Sequence, residues 1–168
     1  WDPADTHTTN FWEQIGTATG TSITDITLDS DKKYLWVQGW LEVDSSVIAF
    51  MRLGDGSLDS GGNYSRRKSI NGAADALNNS STATTIYNTA TSSNIFFNCF
   101  IINNSANEKL VMMHSVIEAT AGAGTAPSRE ESVGKWANTS GQIDHIGIID
   151  LNGGTWGSAS EVRVWGSN

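Results

Sequence analysis

The sequence predicts an all-β fold, an antiparallel two-sheet β-sandwich of the jelly-roll type, and three observations carry that expectation. Runs of alternating or continuous apolar residues recur along the chain, helical periodicity is nearly absent, and Gly/Ser/Asn/Asp clusters separate one run from the next. Short strands joined by tight connections are most simply accommodated as hairpins in two packed layers. No internal repeat or linker divides the chain. Its 168 residues suffice for one domain with a substantial core, but not comfortably for two. Residues 1–22 are expected to form an N-terminal arm and a first short strand, and residues 23–168 a single sandwich domain.

"ITDITL" (Ile23–Leu28) is the first clear strand run, ahead of the turn "DSDKK". "YLWVQGWLEV" (Tyr34–Val43) alternates, with Leu35, Val37, Leu41 and Val43 on one face and Tyr34, Trp36, Gln38, Trp40 and Glu42 on the other. "SVIAFMRL" (Ser46–Leu53) follows after "DSS", which predicts an antiparallel hairpin between the two runs. The stretch "RLGDGSLDSGGNYSRRKSING" (Arg52–Gly72) reads as a long surface connection anchored by Tyr64. Asp55 and Asp59 shape its turns, and Arg66, Arg67 and Lys68 are free to meet acidic surface elsewhere. In the Ser/Thr/Asn-rich sequence that continues to Ser93, "NGAADALNNSS" (Asn71–Ser81) is the best candidate for a short helical segment.

"NIFFNCFIIN" (Asn94–Asn103) and "KLVMMHSVIE" (Lys109–Glu118) bracket the turn "NSANE" as a second hairpin. Both are apolar at nearly every position and are expected to be central strands buried on two faces. "AGAGTAPSREE" reads as a flexible loop, and "SVGKWAN", "QIDHIGIID" and "SEVRVWG" as three closing strands. The expected core holds Leu35, Val37, Leu41, Phe97, Cys99, Ile101, Leu110 and Met112.

Acidic residues outnumber basic ones 18 to 10, a formal net charge of −8, which argues against nucleic acid or an anionic membrane surface as a partner. No apolar stretch approaches the length of a membrane span, and no signal-peptide pattern opens the chain. Cys99 is the only cysteine, so an intrachain disulfide and a Cys-rich zinc site are both excluded. Within its apolar run it reads as a small buried hydrophobe, and the lack of disulfides fits folding in a reducing cytosol. Opening on Trp1 rather than Met, the chain reads as a processed product or a piece of something longer.

Each candidate chemistry fails on spacing. A calcium loop starting at Asp55 would need Gly at its sixth position and a carboxylate at its twelfth, but Ser60 and Arg66 stand there. His7, His114 and His145 accompany no nucleophile elbow and no metal-ligand spacing, and the last two alternate with apolar neighbours as packed strand residues do. The carboxylate pattern of sandwich glucanases is broken in "QIDHIG", where Gln142 replaces the first Glu and no second Glu follows. No enzymatic activity, catalytic residue, cofactor or metal is therefore expected. Sequons at Asn63, Asn78, Asn79, Asn103 and Asn138 are what an Asn/Ser/Thr-rich chain produces by chance. A saccharide platform is the more substantial reading: seven tryptophans are present, and Tyr34, Trp36 and Trp40 share a strand face. Tyr64, Arg66 and Arg67 join them as candidate ligand or partner residues. The competing reading is that this face covers a second layer or a neighbouring subunit.

Three stretches together, "FMRLGDGSLDSGGNYSRR", "GKWANTSGQIDHIGIIDLNGGTW" and the terminal "GSASEVRVWGSN", resemble jelly-roll modules of tailed-phage virion proteins. Asn63-Tyr64-Ser65, the alternating Ile143/Ile146/Ile148, and Val162/Val164 before Trp165-Gly166 hold the family's places, over roughly Ile23 to the C-terminus. The resemblance implies a structural or adhesive role in a capsid surface, tail or fibre, and a virion location after synthesis in the host cytoplasm. The partners it implies are further copies of the chain, other virion proteins and a host-surface glycan. It supplies no catalytic residues, and the Tyr64–Asn94 region follows no pattern of the family. A homo-oligomer is expected, a trimer by analogy with virion jelly rolls. Trp1, Phe11 and Trp12 form a candidate assembly arm. The alternative is a lectin-like carbohydrate-binding module.

Overall fold

A computed structural model of the chain describes residues 12–168. Twelve strands follow in order: β1 (Glu13–Thr19), β2 (Ile26–Thr27), β3 (Tyr34–Leu41), β4 (Val47–Gly54), β5 (Tyr64–Ile70), β6 (Ala76–Ser81), β7 (Thr84–Thr91), β8 (Ile95–Ile102), β9 (Lys109–Ile117), β10 (Ser128–Trp136), β11 (His145–Asp150) and β12 (Glu161–Ser167). They form an eight-stranded sheet, ordered β1-β12-β3-β8-β9-β10-β5-β6, and a four-stranded sheet, ordered β2-β11-β4-β7. The two sheets pack as an antiparallel sandwich, as the sequence predicts.

The pairs β1·β12, β2·β11, β3·β8 and β4·β7 make the chain one long antiparallel hairpin. That hairpin is rolled until β12 meets β3 and β11 meets β4, which is jelly-roll winding. The remaining strands add on sequentially beyond β8, as β9, β10, β5 and then β6, and lengthen only the large sheet. The large sheet thus has a rolled half, β1-β12-β3-β8, and an extension, β9-β10-β5-β6.

Inside the rolled half, the alternation of β3 places Leu35, Val37 and Leu41 in one cluster with Phe97, Cys99 and Ile101 of β8, Val162 and Val164 of β12, and Met51, Leu53, Ile146 and Ile148 of the small sheet. Gly39 lies opposite Phe97, and a β-carbon there would sit 2.2 Å from the Phe97 ring, so the missing side chain is what admits the phenyl group. Apolar burial of this kind is worth roughly 25 cal/mol per Å² and dominates the stability of the rolled half. Burial also pushes the Cys99 thiol pKa up, which keeps it an unreactive hydrophobe.

Several expectations are corrected. The runs Tyr34–Val43 and Ser46–Leu53 do not pair with each other: β3 belongs to the large sheet and β4 to the small one. The short connection between them crosses from one layer to the other. Asn71–Ser81 contains no helix. Ala76–Ser81 is the edge strand β6, bonded to β5, and Thr84–Thr91 is the edge strand β7 of the small sheet. Strand β10 begins at Ser128, inside the stretch read as a loop. Leu110 and Met112, placed in the core by their apolar run, are 57% and 59% exposed, while Val111 and Met113 point inward. One face of β9 is open, so an unbroken apolar run does not imply burial on both faces.

Candidate functional site

Because side chains alternate across each strand, the paired register of the large sheet sets its outward residues in transverse rows. One row runs Trp165, Trp36, Phe100, Met112, Val133, Arg67, Leu77 across seven strands. Beside it lies the row Tyr34, Ile102, Leu110, Lys135. On the other side the row Arg163, Gln38, Asn98, His114, Glu131 is polar. Beyond that, Glu161, Trp40, Phe96, Val116 and Arg129 mix aromatic and charged groups. The outward face is therefore divided across its strands into an apolar half and a polar–aromatic half.

Exposure concentrates on this face. Nine of the ten exposed large hydrophobic side chains among the described residues lie on it: Trp12, Tyr34, Trp40, Leu77, Phe96, Phe100, Leu110, Met112 and Val133. The tenth, Leu151, follows β11 of the other sheet. The aromatic groups hold one another in place. Trp36 stacks on Phe100 with centroids 5.9 Å apart, leans on Trp165 at 4.9 Å, and meets the edge of Trp12 at 6.0 Å. The Trp36 indole N–H donates to the Asn98 side-chain oxygen, which ties the apolar half to the polar row.

Two shallow furrows flank Leu110 and Met112. One, of about 440 Å³, runs between them and Trp12, Tyr34, Phe100 and Ile102. The other, of about 450 Å³, runs between them and Val133, Gly134, Ser65 and Arg67. Leu110 and Met112 form the ridge that separates the two. In the polar–aromatic half a third depression, of about 310 Å³, is lined by Gln38, Trp40, Phe96, Glu161, Arg163 and Trp165. Arg163 there donates to Glu161 at 2.6 Å.

The sequence-derived candidates separate. Tyr34, Trp36 and Trp40 do share the outward face, and Arg67 joins their sheet there, paired with Asp75 at 3.1 Å. Tyr64 and Arg66 turn inward from β5 and are buried, with Arg66 at the floor of the furrow beside Ser65 and Arg67. Arg66 is not free to meet another surface: its guanidinium lies 4.7 Å from the Phe50 ring and donates to Ser81 Oγ and the Ala83 carbonyl. Burial lowers its pKa and nearby Glu130 opposes that shift. Lys68 also turns in, 3.8 Å from the buried carboxylate of Glu130, which accepts from Thr85 Oγ1 and the Asn88 N–H. Trp12 packs on the outward face, whereas Trp1 and Phe11 lie outside the described residues.

Tyr64 does anchor the connection in front of it. Its hydroxyl accepts from the Leu53 N–H at 2.9 Å and faces the Leu53 and Asp59 carbonyls, and its ring stacks on Trp136. The Trp136 indole N–H donates to Asp59. Burial alone would raise the Asp59 pKa. Hydrogen bonds from Trp136, Asn63 and the Gly61 N–H, with the Arg52 charge, outweigh it and hold the carboxylate below its ordinary value. Asp59 is thus a fixed structural acceptor. His114 stands outward on the large sheet while His145, on the small sheet, pairs with Asp25 at 2.8 Å, so these two histidines do not converge. Among the described residues no three His, Cys, Asp or Glu side chains gather as a metal-holding group.

Phe96, Phe100, Leu110, Met112 and Val133 were missed as surface residues. The available signal was β8, where outward Phe96, Phe100 and Ile102 alternate with inward Ile95, Phe97, Cys99 and Ile101, leaving more apolar positions than one core can take. No protein-family model and no curated protein sequence matches the chain.

Proposed function

We propose that the chain is a non-enzymatic structural module that works by surface contact, as a jelly-roll component of a phage capsid surface or tail. The observation that carries the surface-contact part is the gathering of nine exposed large hydrophobics on the outward face of one sheet. Scattered apolar residues are ordinary, but seven of the nine, all except Trp40 and Phe96 beyond the polar row, gather in one apolar half with a polar border, which is how protein–protein contact faces are built. The virion setting comes from the resemblance of the "LGDG", "NYS" and closing-strand segments. Quantitative mass spectrometry of purified particles from a culture carrying the gene tests it. The chain should co-purify with the particles at a fixed copy number. Recovery only in the soluble fraction, with none in particles, would reject the virion role.

A second reading, saccharide attachment, is favoured by one local arrangement. Trp40 and Phe96 offer half-open rings beside Gln38, Glu161 and Arg163, the pairing of an apolar sugar face with hydrogen-bonding groups. A glycan array probed with the wild type and Trp40→Ala examines it. Specific binding lost in the variant supports attachment, and an array without signal for the wild type removes it.

A further inference from the structure

Resting on the reading of the large sheet as a contact face, we propose that the apolar half of that face binds a second copy of this chain. The contact is face to face about a two-fold axis. Three features of the surface argue for this occupant.

The first is area. Side chains of these sizes, each about half exposed, leave on the order of 700 Å² of apolar surface on one face. That exceeds the roughly 300–600 Å² of the largest patch on a typical monomer, and approaches the ~800 Å² per partner of a standard interface.

The second is charge. A chain of net charge −8 should repel its copies, yet no acidic residue projects from the two apolar rows. Their only charged members, Arg67 and Lys135, are already paired within the chain to Asp75 and Glu108. The apolar half is where two acidic copies meet with their nearby carboxylates, Asp75 and Glu108, already neutralised by Arg67 and Lys135, and the neighbouring cation Lys33 lies over the Tyr34 ring.

The third is shape. A two-fold contact brings a surface against itself, so it must carry both a projection and a matching hollow. The Leu110–Met112 ridge lies next to the furrow between Trp12, Tyr34 and Phe100. Turned through the two-fold, the ridge of each copy seats in the furrow of the other. The sheets then cross at about the 30° usual for packed β-layers.

Light scattering and sedimentation of the full chain at about 100 µM, above the dissociation constant of a modest homodimer, decide the matter. The expected result is a dimer. Leu110→Asp with Met112→Asp should weaken it about thirtyfold or more, as loss of a central anchor does. Leu151→Asp, an equally exposed site on the other side, should leave it intact. Both charged positions are solvent-exposed, so circular dichroism should show all variants folded. A monomeric wild type, a dimer indifferent to the Leu110/Met112 change, or a trimer would each overturn the proposal. So would a monomer that dimerises only after residues 1–11 are deleted, because that result assigns the face to the chain's own N-terminal segment. The particle experiment above does not depend on these outcomes, so the self-contact and the virion role fail separately.

Discussion

The rolled half and the extension of the large sheet use their two faces in different ways. In the rolled half the inner face is apolar: Leu35, Val37, Leu41, Phe97, Cys99, Ile101, Val162 and Val164. In the extension the inner face carries Lys109, Ser115, Glu130, Ser132 and Arg66 among Val111, Met113, Tyr64 and Trp136, while Leu110, Met112, Val133 and Leu77 face outward. Part of the normal inside–outside pattern is exchanged. Buried charges contribute little net stability even when paired, whereas outward aliphatics gain nothing until something covers them. The extension thus exposes apolar side chains on its outer face while burying charge on its inner one, and the rolled half is the apolar frame that holds it.

Breaking the extension's interior should have the largest effect. Glu130→Gln removes the charge facing Lys68 at 3.8 Å and disturbs the bonds from Thr85 and Asn88. Destabilisation of about 3–5 kcal/mol is expected, the scale for a buried charge stripped of its partner, and urea titration measures it. A change near zero would mean the cluster is solvated and the contrast between the halves overstated.

Truncation sharpens the contrast next. Leu41→Ala, fully buried in the rolled half, should cost about 2–5 kcal/mol. Met112→Ala, 59% exposed, should change monomer stability by no more than about 0.5 kcal/mol. Similar costs at the two positions in dilute solution would show that Met112 is packed within one chain.

Acid gives the smallest and most local effect. The folded pKa of Asp59 lies below its ordinary value of 3.8, so its contribution is fully present above the unfolded value and is lost as pH falls through the folded one. Protection of the amides in β5 and β10, corrected for the intrinsic pH dependence of exchange, should therefore fall on lowering the pH below about 4, ahead of protection in β3 and β12. Asp59→Asn should remove much of that difference. Uniform acid sensitivity across the sheet would contradict the assignment.

The rolled half was largely legible in the sequence and the extension was not, for reasons visible in single strands. Tyr34–Leu41 alternates apolar and amphipathic residues, so its period of two separated Leu35, Val37 and Leu41 from Tyr34, Trp36 and Trp40 correctly. Lys109–Ile117 is apolar on both faces, and the period is silent about which side is inner. Only pairing with β8 and β10 turns Lys109 and Ser115 in and Leu110 and Met112 out. Tyr64, Arg66 and Lys68 share one face by the same rule, but nothing local says that a face with two cations is the buried one. That follows from Glu130, 64 residues after Arg66 in the numbering, which stands on β10 opposite Ile70 and reaches diagonally to Lys68 on the same inner face. Ala76–Ser81 has no strand periodicity and is extended because β5 offers it an edge.

The proposed self-contact predicts that the outward face of the large sheet becomes covered as the protein concentration rises. Hydroxyl-radical footprinting at about 1 µM and about 100 µM, concentrations that bracket a modest association, reads it most directly. Labelling of Met112 and Leu110 should fall severalfold at the higher concentration while Leu151, on the other side of the sandwich, is labelled equally at both. Labelling of Met112 and Leu110 that is unchanged between the two concentrations would contradict it.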